Sequence, residues 1–224
     1  MSTNSHAKSG SLLSFLRSPL PEKLNRLQAA FFRLKGILYY RHVFGSFGSG
    51  SILYKPVMLS NPQFIHIGRN VVIRQGARLE AILLDPENPP ELRIGDNVNI
   101  EQDVQIVLAG KIHIKDNVSI TARCSLLGGN HPFFDVDSNI KIGARLTGAK
   151  TRIEIGEGSF IGVNVTIMTN VKLGRHVVVG SGSVVRSNVP DYSVVDGNPA
   201  VVRMRYDSTA RAWLNVPLDG ASRP

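Results

Sequence analysis

Aliphatic residues recur at every sixth position over a long stretch of the chain. Between residues 155 and 190 they are Ile155, Ile161, Ile167, Leu173, Val179 and Val185. This period fits neither the 3.6-residue turn of a helix nor the two-residue alternation of an ordinary strand. It fits a coil with three short flat sides, each pointing one aliphatic side chain inward before the chain turns a corner. One such coil cannot bury its apolar side alone, so the coils must stack, and the pattern predicts a parallel β-helix.

The same ladder begins well before residue 155. Its earlier members are Ile67, Ile73, Ile94, Ile100, Ile106, Ile114, Ile120 and Leu126. Three residues after most of these aliphatics stands a glycine, an asparagine or another turn-forming residue, as at Gly158 and Asn164. Corners often need a positive φ, which glycine and asparagine tolerate best. We therefore predict an all-β solenoid domain over residues 51–205, with corners at these positions.

The ladder stops once for a long interval. Residues 128–152 contain a proline, two aromatic residues and two aspartates, and they show no six-residue period. A long loop inside an otherwise strict repeat costs ordering entropy, and such loops are usually functional or disordered. We expect residues 128–152 to leave the solenoid as an excursion loop and to return at Ile153. Residues 206–224 are expected to form a short C-terminal tail, as a short helix or a loose segment.

The N-terminal part, residues 1–50, combines a polar tail with a predicted helix. Between Pro21 and His42, apolar residues recur at three- and four-residue spacing, at Leu24, Leu27, Phe31, Leu34 and Leu38, with basic residues between them. Two interpretations stay open. The stripe could pack on the end of the solenoid and cover its first sheet edge, which we favour. Alternatively, a basic amphipathic helix could make a peripheral contact with a membrane surface.

Composition and charge limit the kinds of partner and the cellular compartment that we expect for this protein. The 224 residues are 42% hydrophobic and 19% charged, as in ordinary soluble proteins. The lone Cys124 excludes an internal disulfide, which suits a reducing, cytoplasmic location, and its place in the repeat indicates packing. A net charge of +9 is explained either by solubility alone or by attraction of a polyanionic cofactor, an acidic glycan or an anionic membrane. The sequence has no dense run of lysine and arginine with interleaved aromatic residues, so we do not expect it to bind nucleic acid.

Three motifs give the chain a resemblance to the hexapeptide-repeat acyltransferases. They are Gly-Gly-Asn-His-Pro at 128–132, Val-Gly-Ser-Gly-Ser-Val-Val at 179–185 and Val-Val-Asp-Gly-Asn-Pro-Ala at 194–200. The likeness covers about residues 60–205. Within that family the chain is most similar to the maltose and galactoside O-acetyltransferases and the O-antigen and capsule O-acetyltransferases.

The resemblance implies a left-handed β-helix, a homotrimer with active sites between subunits, and an acyl-CoA donor, usually acetyl-CoA. It implies an acetyl transfer to the hydroxyl of a sugar or a cell-surface glycan precursor, without a metal. The histidines share no spacing that would build a zinc site. If the N-terminal helix contacts a membrane, the enzyme would work at the inner membrane face.

The resemblance also names site residues. It implies that His131, in the His-Pro motif, is the general base that takes the hydroxyl proton, a task an imidazole can perform at neutral pH. Asp135 or Asp137 is considered as a partner that orients the imidazole. Glu101 stands where the galactoside branch has an asparagine that helps at the acceptor site, so we expect Glu101 to bind acceptor hydroxyls; the alternative is an exposed side chain without a role. The expected coenzyme A contacts are Phe160, Gly162, Val163, Gly180, Ser181, Arg186 and Arg203.

Two other functions remain open at this point. The same base would serve an N-acyltransferase acting on an amino sugar, or an acyltransferase that inactivates an antibiotic. A non-catalytic solenoid used as an assembly subunit is the third hypothesis.

Overall fold

Residues 12–217 are described by a computed structural model, and most of them form a three-sided solenoid. Its strands are β1 (Ser46–Phe47), β2 (Ile52–Leu53), β3 (Met58–Ser60), β4 (Ile65–Ile67), β5 (Val72–Ile73), β6 (Arg78–Ala81), β7 (Glu91–Ile94), β8 (Asn99–Ile100), β9 (Gln105–Leu108), β10 (Lys111–Ile114), β11 (Ser119–Ile120), β12 (Ser125–Gly128), β13 (Arg152–Ile155), β14 (Phe160–Ile161), β15 (Thr166–Ile167), β16 (Lys172–Leu173), β17 (Val178–Val179) and β18 (Val184–Val185). The first coil starts at Ser46, ahead of the expected domain start at residue 51.

Each coil contributes one strand to each of three parallel sheets. Sheet A stacks β1, β4, β7, β10, β13 and β16; sheet B begins β2, β5, β8, β11, β14 and β17; sheet C stacks β3, β6, β9, β12, β15 and β18. The predicted ladder is confirmed, because its members point into the core in this order of sheets. Ile155, Ile161 and Ile167, for example, have no exposed surface and belong to sheets A, B and C in turn.

The corners follow the expected chemistry at most positions. Asn164, Asn170 and His176 have φ between 52° and 61°, and Gly158 and Gly182 also have positive φ. At the corner between sheets A and B, a carboxylate of one coil also accepts a backbone N–H of the coil before it. Asp96 Oδ1 accepts from the N–H of Arg69 at 2.7 Å. The coils are therefore linked by side chains as well as by the β ladder.

The C-terminal end closes with antiparallel strands. These are β19 (Ser193–Gly197), β20 (Ala200–Asp207) and β21 (Ala212–Asn215), which continue sheet B after β17. The expectation of a short helix or a loose tail after residue 205 is wrong at this point, because β21 pairs with β20 and Trp213 contacts Tyr206 at a centroid distance of 5.6 Å.

The N-terminal helices are α1 (Leu12–Arg17), α2 (Leu20–Lys35) and α3 (Arg41–Val43), with a π-helical turn at Gly36–Tyr40 between the last two. The predicted helix is confirmed, but it packs against the solenoid with a different face from the apolar stripe that we favoured. Phe32 and Tyr40 are the buried aromatics; Phe32 packs against Tyr54, and Tyr40 packs against Phe44 and the solenoid core.

The apolar stripe points away from the solenoid. Its members, Leu24, Leu27, Phe31, Leu34 and Leu38, are 53–66% exposed. The expectation that this stripe covers the first sheet edge is therefore wrong, since the opposite face of the helix does so. No helix between residues 12 and 217 combines the length and the hydropathy needed to cross a bilayer.

Candidate active site

The excursion loop leaves sheet C directly after β12 and is closed at its base. Asn130 and Thr147 exchange backbone hydrogen bonds of 2.9 and 2.8 Å across the loop. The hydroxyl of Thr151 lies 2.7 Å from the carbonyl oxygen of Gly128 and 2.6 Å from that of Gly148. His131 follows the first bridged residue, so the backbone at the base fixes where its side chain starts.

The imidazole of His131 is exposed and is held by one hydrogen bond. Its Nδ1 lies 3.1 Å from the backbone carbonyl oxygen of Arg145. A carbonyl oxygen can only accept, so Nδ1 is the donor, and a neutral ring then carries its lone pair on Nε2. That tautomer is the one required of a general base acting through Nε2.

Arg145 also organises the loop through its side chain. Its guanidinium donates to the carbonyl oxygens of Ile140 (2.6 Å), Asp135 (2.7 Å) and Ser138 (3.2 Å). One residue thus gathers the loop with its side chain and orients His131 with its backbone. Sequence analysis missed this residue, because a single arginine in an irregular loop carries no pattern. Asp135 and Asp137, which we considered for the orienting role, show no hydrogen bond to the imidazole.

The expected coenzyme A contacts Gly162, Val163, Gly180 and Ser181 lie at the corner between sheets B and C. Ser181 Oγ accepts the backbone N–H of Val163 at 3.1 Å. A Cβ on Gly162 would lie 2.6 Å from the backbone nitrogen of Ser181, and a Cβ on Gly180 would lie 2.9 Å from Cβ of Asp196. Close stacking of the coils therefore requires glycine at positions 162 and 180, independently of any ligand on the outer surface. Phe160, in β14, is 46% exposed on the outer surface of sheet B.

His131 and these corner residues stand at opposite ends of sheet C within one chain. The strand between the two corners, β12, has four residues, which corresponds to about 13 Å. Arg186 belongs to the histidine end, since Leu126, Ile167 and Val185 share one register and Arg186 follows Val185. A single copy of the chain thus places Arg186 at the same end of sheet C as His131, two strands further along the sheet. The corner formed by Gly162, Val163, Gly180 and Ser181, which we call the glycine corner, is at the other end.

Two other expected site residues already have partners. Arg203 donates from Nε to Asp196 Oδ1 at 2.5 Å, so much of its charge is compensated. Glu101 Oε2 lies 3.7 Å from Arg74 Nε, at the same corner as the glycines but nearer the N-terminal end. The guanidinium of Arg74 in turn lies 5.6 Å from the ring centre of Tyr54.

A cleft of about 490 Å³ lies beside the return of the loop. It is bordered by the turn 87–91, by residues 149–152 and by His66 and Lys111. At its edge Glu91 Oε2 lies 2.8 Å from His113 Nε2. A hydrogen bond from Arg93, and a smaller contribution from His113, lower the pKa of Glu91 to about 2. The cleft therefore holds a fixed carboxylate among several cationic groups.

Cys124 has no exposed surface, and its thiol lies 3.0 Å from the carbonyl oxygen of Gly162. Burial raises the pKa of this thiol, which disfavours a nucleophilic thiolate. The interpretation of Cys124 as a packing residue is confirmed. Within residues 12–217, histidine, cysteine and carboxylate side chains form no cluster of three or more that could hold a metal ion.

Comparison with known proteins identifies the repeat. The family described as bacterial transferase hexapeptide (six repeats) matches residues 152–187. A protein of Escherichia coli K12, provisionally named as the lipopolysaccharide biosynthesis O-acetyl transferase WbbJ, is 28% identical over 72% of this chain and 82% of its own length. The provisionally named acetyltransferase Rv3034c of Mycobacterium tuberculosis is 31% identical over 72% of this chain, which spans only 51% of that protein.

Among solved structures, a point mutant of AntD, an N-acyltransferase from Bacillus cereus in complex with dTDP and coenzyme A, is similar to this chain. The TM-score is 0.63 at 20% identity, over 79% of this chain and 89% of the other. Likeness at this identity concerns the fold, and with the repeat match it confirms the left-handed parallel β-helix.

Proposed function

Because this chain belongs to the hexapeptide-repeat acyltransferases, we propose that it transfers an acetyl group from acetyl-CoA to a hydroxyl of a sugar or a cell-surface glycan precursor. The observation that carries this proposal is the hydrogen bond between His131 Nδ1 and the carbonyl of Arg145, which leaves Nε2 as the basic atom. The name of the Escherichia coli relative supports a glycan acceptor. The coenzyme A bound to AntD supports the donor.

In this mechanism Nε2 of His131 removes the hydroxyl proton as the acceptor oxygen attacks the thioester carbonyl carbon. The tetrahedral intermediate carries an oxyanion, which backbone N–H groups can stabilise. Collapse of the intermediate breaks the bond between carbon and sulfur. The coenzyme A thiolate then takes the proton from the His131 imidazolium, so the base is restored and the products are an ester and free coenzyme A.

The distance between His131 and the glycine corner within one chain is relevant to how copies of the chain assemble. Gly162, Val163, Gly180 and Ser181 stand at one end of sheet C, and His131 and Arg186 stand at the other. We infer that the active site forms between copies in a homotrimer, with the glycine corner of one subunit facing His131 of another. Arg186 and Phe160 would then contact the coenzyme at this interface.

The test is acetyl transfer to a panel of sugars and glycans by the wild type and by His131→Ala. General-base help is worth roughly 10² to 10⁴ in rate, so the variant should lose that much in kcat and still bind acetyl-CoA in calorimetry. Mass spectrometry of the product distinguishes an ester from an amide. Wild-type protein that acetylates no hydroxyl in the panel, or full activity in His131→Ala, would contradict the proposal.

A further inference from the structure

The outer face of α2 is an apolar surface that the solenoid leaves uncovered. The surface consists of Leu20, Leu24, Leu27, Phe31, Leu34 and Leu38, and we call it the outer stripe. Its members are 53–68% exposed. The buried side of the helix, which carries Phe32, lies on the opposite side, so docking the helix on the solenoid orients the outer stripe outward.

Basic residues border the outer stripe on both sides. At 100° per residue, Lys23 and Lys35 lie about 60° to either side of its centre. The ammonium group of Lys35 lies 4.8 Å from the ring centre of Tyr40, so its alkyl chain follows the helix surface. The single acidic residue of α2, Glu22, is paired with Arg26 at 2.6 Å. The charged residues that border the stripe are thus all positive.

A second feature lies on the same helix. A cleft of about 330 Å³ is formed between the end of α2 and the turn 47–51, and Arg33 and Arg41 line it. Both arginines are exposed, and neither has an ion pair with another residue in the range 12–217. At 100° per residue Arg33 lies about 140° from the centre of the outer stripe, so the cleft is on the side of the helix nearer the solenoid, above the apolar surface. Two neighbouring guanidinium groups suit a phosphate group.

Two occupants fit an apolar stripe with alternating three- and four-residue spacing. One is a second copy of the helix, since this is also the spacing of a coiled-coil seam. In such a seam the flanking positions would be Lys23, Ala30 and Ile37 on one side and Gln28 and Lys35 on the other. No carboxylate stands at these flanking positions, so self-association through the seam gains no ion pair with the lysines.

The other occupant is an anionic lipid surface, and the charges favour it. We propose that α2 lies in the plane of a phospholipid bilayer, with the outer stripe among the upper acyl carbons. Lys23 and Lys35 then extend to the headgroups, and the cleft with Arg33 and Arg41 holds a lipid phosphate. The proposal is independent of the acyl-transfer chemistry.

The test is co-flotation of the full-length protein with phosphatidylcholine vesicles, with and without phosphatidylglycerol. We expect binding to the anionic vesicles that weakens as salt is added. Phe31→Glu should bind at least about tenfold more weakly, since it removes an aromatic side chain that would enter the bilayer and adds a negative charge. Val57→Glu, a matched change at a 74% exposed residue away from the helix, should bind as wild type. Arg33→Gln combined with Arg41→Gln should weaken binding to the anionic vesicles.

The wild type failing to bind anionic vesicles would overturn the proposal, as would unaltered binding by Phe31→Glu. Suppose instead that the wild type does not bind vesicles and that light scattering shows an oligomer that Phe31→Glu dissociates. The outer stripe would then be covered by a second copy of the chain. Acetyl transfer to a soluble acceptor should be the same in Phe31→Glu and the wild type. Loss of vesicle binding with intact transfer would therefore separate this proposal from the proposed function.

Discussion

The backbone carbonyl of Arg145 lies 3.1 Å from Nδ1 of His131, and the guanidinium of the same arginine holds three carbonyl groups of the excursion loop. The loop conformation and the orientation of the imidazole are therefore linked through one residue. A substitution of the Arg145 side chain should therefore shift the Arg145 backbone and alter the orientation of the imidazole, although the side chain itself does not contact the imidazole.

Arg145→Gln should lower kcat by roughly 10- to 100-fold, because a displacement of about 1 Å in a catalytic group can cost that much. The KM for acetyl-CoA should change little, since the glycine corner is untouched. Steady-state kinetics measure both values. Lys141→Gln, an exposed residue of the same loop, is the matched control and should behave as wild type. A raised KM with an unchanged kcat would argue against a positioning role.

Arg186 and Arg203 should differ in their effect on coenzyme binding. Arg186 is exposed and has no ion pair with any residue in the range 12–217, whereas Arg203 is 2.5 Å from Asp196. Arg186→Gln should weaken acetyl-CoA binding by about 3- to 10-fold, as expected for one exposed charge-assisted contact with phosphate. Arg203→Gln should weaken it less. Calorimetry at two salt concentrations measures both, and equal effects would mean that the Asp196 pair opens when the coenzyme binds.

Gly162→Ala should destabilise the fold. The new methyl group would lie 2.6 Å from the backbone nitrogen of Ser181 and 2.7 Å from the carbonyl oxygen of Val179. Overpacking of this kind typically costs about 1–3 kcal/mol. Gly143→Ala, where the added methyl group has nothing within 4 Å, is the control. Urea unfolding measures both free energies, and a Gly162→Ala variant with wild-type stability would mean that neighbouring coils can separate.

Acid should weaken the solenoid through Glu91. Its pKa falls from 4.5 to about 2, mainly through Arg93 and further through His113. A lowered folded-state pKa contributes stability above the unfolded value, and this stability is lost as the pH falls from about 4.5 towards about 2. Since Arg93 is largely exposed, solvent screening limits the contribution to about 1 kcal/mol.

The measurement for Glu91 is the free energy of unfolding as a function of pH. Glu91→Gln should be less stable than the wild type near neutral pH, and the difference should shrink in acid. Glu87→Gln, in the adjoining turn, is the control and should follow the wild-type curve. Parallel curves for Glu91→Gln and the wild type would show that the carboxylate charge adds no stability.

The solenoid could be predicted from the sequence because its packing rule is local. Every sixth aliphatic, such as Ile155 or Val179, becomes an inward residue, and each corner needs only a residue that tolerates the turn. The docking of the N-terminal helix could not be predicted in the same way. Both of its faces are apolar, and only the solenoid surface decides that Phe32 is buried and Phe31 is exposed.

The candidate site was predictable only in part. The His-Pro motif located His131, but the role of Arg145 depends on how the loop closes, which no spacing in the sequence encodes. The pairing of Arg203 with Asp196 arises because β19 and β20 form a hairpin, so residues seven positions apart become neighbours. These contacts follow from tertiary structure, and local pattern carries no signal for them.

The two ends of the solenoid are closed by different means. At the N-terminal end helical aromatics, among them Tyr40 and Phe44, lie against the first coil, and at the C-terminal end sheet B reverses into antiparallel strands. A stack of parallel coils is otherwise a template to which further coils could be added without limit. The two ends are therefore unlike, and within residues 12–217 neither the helical end nor the antiparallel end of sheet B offers the parallel strand edge that a further coil would need. This favours association of copies through the sides of the solenoid.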